Sequence, residues 1–170
     1  MSTIIIQASS RKTGNTALAV DQVKSLIPSD SVDLLDYKFS GYDYLHLNQN
    51  DDFLPLVERL ASNYDTWILA TPVYWYSMSG LLKNFVDRLT DCVTIAKPIG
   101  RSLEGKRLGL LSSSSEEDLL SSFAEPFRLT AEYLEMTYIG HAHTWCIDED
   151  LAPHAKENIK SFVSLIKHQS

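Results

Sequence analysis

The chain has 170 residues, of which 44% are hydrophobic and 22% charged, and it carries a net charge of −7. That length is enough for one well-buried core, so a single domain over residues 1–170 is expected. The acidic balance argues against non-specific nucleic-acid binding, which basic surface carries. No apolar run approaches the ~20 residues that span a bilayer, and no basic-plus-apolar leader opens the chain. The expectation is a cytoplasmic protein with neither nucleic-acid nor membrane partners.

In chain order, a strand is predicted over residues 3–8 and a helix over 16–27, stopped by Pro28, since the residue before a proline leaves the helical region. A strand over 32–36 follows. Residues 37–52 are too long and too aromatic for a plain connector, with Tyr42, Tyr44 and Leu45 among them. A helix over 53–64 leads to a strand over 66–70. The next helix, 81–90, places Leu82, Phe85, Val86 and Leu89 on one face at helical spacing. Then come a strand over 107–112, a helical pattern over 116–136 with a kink or fresh start at Pro126, a strand over 137–144 and a last helix over 153–167. Strands alternating with helices of this length imply a parallel sheet with crossover helices on both faces.

Between the first strand and the first helix the chain reads A-S-S-R-K-T-G-N-T, residues 8–16. A buried strand, a turn of small hydroxyl residues and a helix start make an anion cradle, because backbone N–H groups at a helix N-terminus are unpaired and the helix dipole adds positive potential. Gly14 permits a tight backbone, Ser9, Ser10 and Thr16 offer hydroxyls, and Arg11 offers a fixed charge. An ordinary helix cap uses the same residue types. Residues 67–88 read W-I-L-A-T-P-V-Y-W-Y-S-M-S-G-L-L-K-N-F-V-D-R. Here a buried strand breaks at Pro72 and a helix resumes after Gly80, and the loop between them carries Val73, Tyr74, Trp75, Tyr76 and Met78. Loops run over the surface, so five large apolar or aromatic side chains need a flat apolar ligand, a partner chain or the domain's own core to cover them.

The two stretches together resemble the flavodoxin-fold NAD(P)H-dependent FMN reductase and quinone reductase group. Its phosphate loop follows G-S-x-R-x-x-G-N-T, from which this chain departs only at Ala8. Its ring loop follows T-P-x-Y-W-x-S-x-S-G-x-L-K-x-F-x-D-R, matched here almost throughout. The resemblance implies an α/β flavodoxin-like, doubly wound, five-stranded parallel sheet of order 2-1-3-4-5. The loops after strands 1 and 3 of such a sheet meet at the switch point where ligands bind. It implies FMN as cofactor and NAD(P)H as co-substrate, with the phosphate held by Ser9, Arg11, Gly14, Asn15 and Thr16. Pro72, Val73, Tyr74, Trp75 and Tyr76 flank the ring, and Ser112, Ser113 and Ser114 lie toward its pyrimidine side. The serine run also reads as a plain turn with Glu116 and Glu117 favourable in the first turn of a following helix.

The chemistry so implied is hydride transfer from nicotinamide to flavin N5, then reduction of a small-molecule acceptor such as a quinone or flavin at the same face. This is a ping-pong scheme that needs no catalytic acid or base from the protein. Relatives are dimers or tetramers, so a homodimer or homotetramer is expected. A one-electron flavodoxin-type carrier is the alternative, disfavoured by Lys83, Arg88, Lys97 and Arg101 following the ring loop. Receiver-domain chemistry lacks its acidic cluster at Gln7, Ala8 and Ser9, and a phosphatase lacks its loop cysteine. Cys92 and Cys146 form no framework. His141 and His143 are expected in structural or surface roles, with no metal bound, and His46, His154 and His168 at the surface.

Overall fold

The computed structural model describes residues 2–168, so the expected domain bounds, residues 1 and 170, lie outside the described residues. Strands β1 (Thr3–Gln7), β2 (Asp30–Asp33), β3 (Thr66–Pro72), β4 (Arg107–Ser114), β5 (Thr137–Ile147) and β6 (Asp150–Leu151) form one sheet in the order 2-1-3-4-5-6. The first five are mutually parallel. The flavodoxin-like α/β architecture is therefore present, but the expected five strands become six. After β5, Asp148 and Glu149 both adopt positive φ, 50° and 67°, and reverse the chain into a two-residue antiparallel strand with Cys146 opposite Leu151. Neither glycine nor asparagine marks that turn, so the residue types gave no hairpin signal.

Alternate residues of each central strand enter opposite cores. Ile4, Ile6, Trp67, Leu69, Leu108 and Leu110 pack under α2 (Phe53–Asn63), α3 (Gly80–Thr94) and α5 (Glu125–Tyr133). Ile5, Ile68, Ala70, Leu111 and Ile139 pack under α1 (Asn15–Leu26) and α6 (Pro153–His168). Both faces are covered, which is why these strands read as continuous apolar runs. Gly109 lets α6 approach β4, since a Cβ there would lie 2.6 Å from the Phe162 ring.

Several element bounds differ from expectation. The second strand starts two residues earlier, at Asp30, and ends at Asp33, whose side chain accepts the Leu35 N–H and caps a short 3-10 turn, Leu34–Asp36. Helix α3 continues past residue 90 to Thr94, and a further short helix, α4 (Lys97–Arg101), follows it. The helical pattern over 116–136 is mostly not α-helix: residues 116–120 are loop, Ser121–Ala124 form a 3-10 turn and α5 starts afresh at Glu125 with Pro126 in its first turn. A proline fits there because its missing N–H would be unpaired in any case.

The segment 37–52 folds back on α2 and α3. Phe39 meets Phe53 and Phe85 at ring separations of 5.9 and 6.3 Å. Beside them Arg88, with a fully buried side chain, donates to Asp51 at 2.6 Å, to Asp91 at 2.6 Å and to the Ser40 carbonyl at 3.1 Å, and its guanidinium sits 4.8 Å from the Phe53 ring. His46 is not a free surface residue, because its Nδ1 lies 2.9 Å from Asp91. Among the described residues no helix is long and apolar enough to cross a membrane.

Candidate functional site

The parallel pairing of β1 with β3 puts the carboxyl ends of both strands at one end of the sheet, and the turns that follow converge there. At the first turn, the Ala8 N–H goes to the Ala70 carbonyl at 2.8 Å and the Leu18 N–H to Gly14 at 3.0 Å. Among the described residues, the backbone N–H groups of residues 9–17 between them have no acceptor in the chain. No side chain caps α1 at Gly14, and its first turn holds no acidic residue, so the positive end of the helix stays uncompensated. Gly14 has φ +129°, and a Cβ there would lie 2.6 Å from Arg11 Nε, so the guanidinium folds over the glycine. Gln7 braces the loop from below, donating to the Lys12 carbonyl and to Asp33, both at 3.2 Å.

At the second turn, the Val73 N–H goes to the Ser113 carbonyl at 2.8 Å, and Tyr74 and Ser77 exchange backbone hydrogen bonds of 2.9 and 3.0 Å. The two residues between them, Trp75 and Tyr76, have φ of 47° and 64°. This doubly left-handed turn normally takes Asn-Gly, and bulky residues adopt it against preference. Met78 is buried, whereas Tyr74, Trp75 and Tyr76 are 43%, 92% and 72% exposed. The chain's own core therefore does not cover the three aromatic rings.

Hydroxyls and amides tie the turns together. Ser10 Oγ lies 2.7 Å from the Tyr74 hydroxyl, and Ser79 Oγ donates to the Ala8 carbonyl at 2.6 Å. Thr16 Oγ1 meets Ser113 Oγ at 2.6 Å, and Asn15 donates to the Ser114 carbonyl at 3.1 Å. The end of β4 thus joins the other two turns. Ser9 is buried in the first turn and Pro72 at the end of β3. Ser112 is turned away toward β5, where its Oγ lies 2.8 Å from His143 Nδ1.

A cavity of about 530 Å³ opens beside the aromatic turn, lined by Val73, Trp75, Tyr76 and Ser114, together with Ser115, Glu116, Asp118, Leu119 and Leu120. Of the residues expected around a ring, Val73, Trp75, Tyr76 and Ser114 line it, while Ser9, Arg11, Gly14, Asn15 and Thr16 gather in the neighbouring turn. Ser79, Asp118, Leu119 and Leu120 escaped the sequence reading. Ser79-Gly80 ahead of an apolar period is a helix-start signal that could have found the first. The others were hidden inside an expected helix.

The positive charges expected near the aromatic turn are spent elsewhere. Lys83 pairs with Asp87 at 2.6 Å and Arg88 is sealed among carboxylates. Lys97 and Arg101 line a separate cavity of about 330 Å³ with Cys92, whose thiol burial pushes up to about 12. Among the described residues, the charges lining the aromatic cavity are the carboxylates of Glu116 and Asp118. The basic surface that disfavoured an electron carrier is therefore absent from the site.

Comparison with known proteins bears on the fold and the family. YwqN of Bacillus subtilis, provisionally named as an NAD(P)H-dependent FMN-containing oxidoreductase, is 30% identical over 94 residues, which are 52% of this chain and 51% of YwqN. The chain spans between 51% and 65% of the length of the curated relatives it matches. The structure of general stress protein 14 from Treponema denticola in complex with FMN superposes with a TM-score of 0.65 over 100% of both chains at 16% identity. An NADPH-quinone reductase from P. pentosaceus superposes with a TM-score of 0.66 over 100% of this chain and 98% of that one at 21% identity. These two likenesses show the fold. The model of the NADPH-dependent FMN reductase family matches residues 1–149, and the chain belongs to that family.

Proposed function

We propose that the chain is an NAD(P)H-dependent FMN oxidoreductase that reduces a small-molecule acceptor in two half-reactions. The observation that carries this is the run of acceptor-free N–H groups over residues 9–17, bonded through Ser10 and Tyr74 to an aromatic turn that the core leaves exposed. The residues fit a flavin mononucleotide: an uncapped helix end with no carboxylate in its first turn suits a phosphate dianion, and the neighbouring aromatic and aliphatic walls suit a flat ring.

Ser9, Arg11, Gly14, Asn15 and Thr16 would hold the phosphate, mainly through backbone N–H groups, because the Asn15 and Thr16 side chains already brace β4. Val73, Tyr74, Trp75 and Tyr76 would flank the ring, and Ser113 and Ser114 would close its far side. Bound there, FMN would supply the hydride-transfer chemistry that links NAD(P)H to the acceptor. The protein's part is to bind, orient and exclude water, and no side chain needs to move a proton. Carboxylates rather than cations in the cavity lining support neutral, flat acceptors over anionic ones. The same reading includes self-association as a dimer or tetramer, for which the exposed Trp75 and Tyr76 are suitable contacts.

A one-electron carrier remains the second reading, favoured by Glu116 and Asp118 at the cavity. Anaerobic NADPH added to the FMN-loaded protein separates the two. The oxidoreductase reading expects the flavin's visible absorbance to bleach within the mixing of one equivalent. Absorbance that persists until dithionite is added would establish the carrier instead.

A further inference from the structure

His143 lies in β5, with 7% of its surface exposed, and its ring nitrogens face the last residues of β4 and the turn that follows them. Nε2 is 3.1 Å from the Glu116 carbonyl and 3.2 Å from Ser114 Oγ, while Nδ1 is 2.8 Å from Ser112 Oγ. A carbonyl oxygen only accepts, so Nε2 carries the proton. Nδ1, bare in the neutral ring, then accepts from the Ser112 hydroxyl. The surroundings hold this arrangement still. The Ser112 carbonyl takes the Thr144 hydroxyl at 2.9 Å, Asn158 of α6 holds the His143 carbonyl at 3.0 Å, and the Trp145 ring stacks at 6.1 Å.

Above the imidazole, Ser114 Oγ donates to the Glu116 carbonyl at 2.6 Å and accepts the Glu116 N–H at 3.0 Å. The Ser114 carbonyl is the acceptor for Asn15. Residues 114–116 line the cavity beside the aromatic turn. The ladders to β3 and β5 hold Ser112 to Ser114, but the chain leaves the sheet after Ser114, and ordering residues 115 and 116 costs conformational entropy unless another group imposes the shape. The imidazole is that group, with Nε2 bonding to Ser114 and Glu116 of the turn and Nδ1 anchored on Ser112 of β4.

We propose that His143 is a positioning residue of the cofactor site, which as its Nε2–H tautomer fixes the 114–116 turn in the shape that receives the pyrimidine edge of the flavin. The inference rests on the FMN reading above. It makes the third turn preorganised, so that binding is not spent on ordering it.

Two substitutions separate the ring nitrogens. H143Q brings an amide donor close to the Nε2 position, whereas H143N keeps a polar group near Nδ1 and leaves the Glu116 carbonyl without its donor. By fluorescence titration at neutral pH, the FMN Kd is expected to stay within about threefold of wild type in H143Q and to rise about tenfold in H143N, the effect of one lost buried hydrogen bond. A second measurement does not depend on any variant folding: nitrogen-15 imidazole NMR of the wild-type protein without FMN, expected to show the Nε2–H tautomer. An Nδ1–H tautomer, or equal FMN affinity in wild type and a folded H143N, overturns the proposal. A folded wild type that takes up no FMN overturns the cofactor reading instead, and the tautomer still decides what holds the turn.

Discussion

Ser79 donates its hydroxyl proton to the Ala8 carbonyl at 2.6 Å, while its oxygen accepts the Leu82 N–H at 3.1 Å. One buried side chain thus caps α3 and ties its start to the end of β1, 71 residues away. Thr71 Oγ1 completes the joint by accepting the Ser79 N–H at 3.0 Å. Replacing Ser79 with Ala removes the cap and leaves the Ala8 carbonyl buried without that donor. The expected cost is about 1–3 kcal/mol of unfolding free energy by urea denaturation, with a weaker FMN affinity because the two turns lose their shared anchor. Unchanged stability would mean that the turns are held by other contacts.

Gly14 is required twice, by its φ of +129° and by the Arg11 guanidinium folded over it. Gly14→Ala is expected to cost about 1–3 kcal/mol in stability from backbone strain. It should also weaken FMN binding at least tenfold, since the loop must shift where the phosphate is proposed to sit. Calorimetric titration with FMN reads the second effect. An affinity equal to that of wild type would place the phosphate elsewhere.

Arg88 is the keystone of the segment 37–52. Burial works against its charge, yet the hydrogen bonds to Asp51 and Asp91 outweigh that and raise its pKa. Arg88→Met leaves two carboxylates without their cation, which in a buried pair costs about 3–5 kcal/mol. The segment should then detach, so limited proteolysis is expected to cut within residues 41–50 in the variant and to spare the wild type. Equal resistance would show that the Phe39 contacts suffice.

The residues that announced the fold are those in continuous apolar runs: Ile4 to Ile6, Trp67 to Ala70 and Leu108 to Leu111 are apolar on both faces, so their strands were legible from the sequence. The two converging turns were legible too, because a hydroxyl-rich turn before a helix and an aromatic turn after Pro72 are locally unusual. The rest depended on partners distant in sequence. Leu119 and Leu120 fell within an apolar period and read as helix, though the α-helix starts only at Glu125. Arg88 read as surface charge because its carboxylate partners include Asp51, 37 residues earlier. His143 gave away its strand face through His141, but Ser112 and Glu116 become its partners only once β4 and β5 pair.

The two neighbouring histidines also set a pH dependence. Burial lowers the pKa of His141, with His143 adding to the effect, and burial lowers that of His143 against the opposing hydrogen bond it donates to the Glu116 carbonyl. The unfolded chain therefore binds protons more readily than the folded one below the ordinary value of 6.5. Stability is fully present above that pH and declines as pH falls through the folded values. Urea midpoints are expected to drop between neutral and mildly acidic pH, and H143Q should flatten that drop. A midpoint that rises on acidification over this window contradicts the assignment.

The central claim is that the turns after β1 and β3, closed by the end of β4, hold one FMN between them. Amide NMR during titration of the FMN-free protein tests it most directly. The account predicts that residues 9–17, 73–77 and 113–116 shift together and saturate at one equivalent. Shifts confined to a single turn, or centred on the cavity of Lys97 and Arg101, would contradict it.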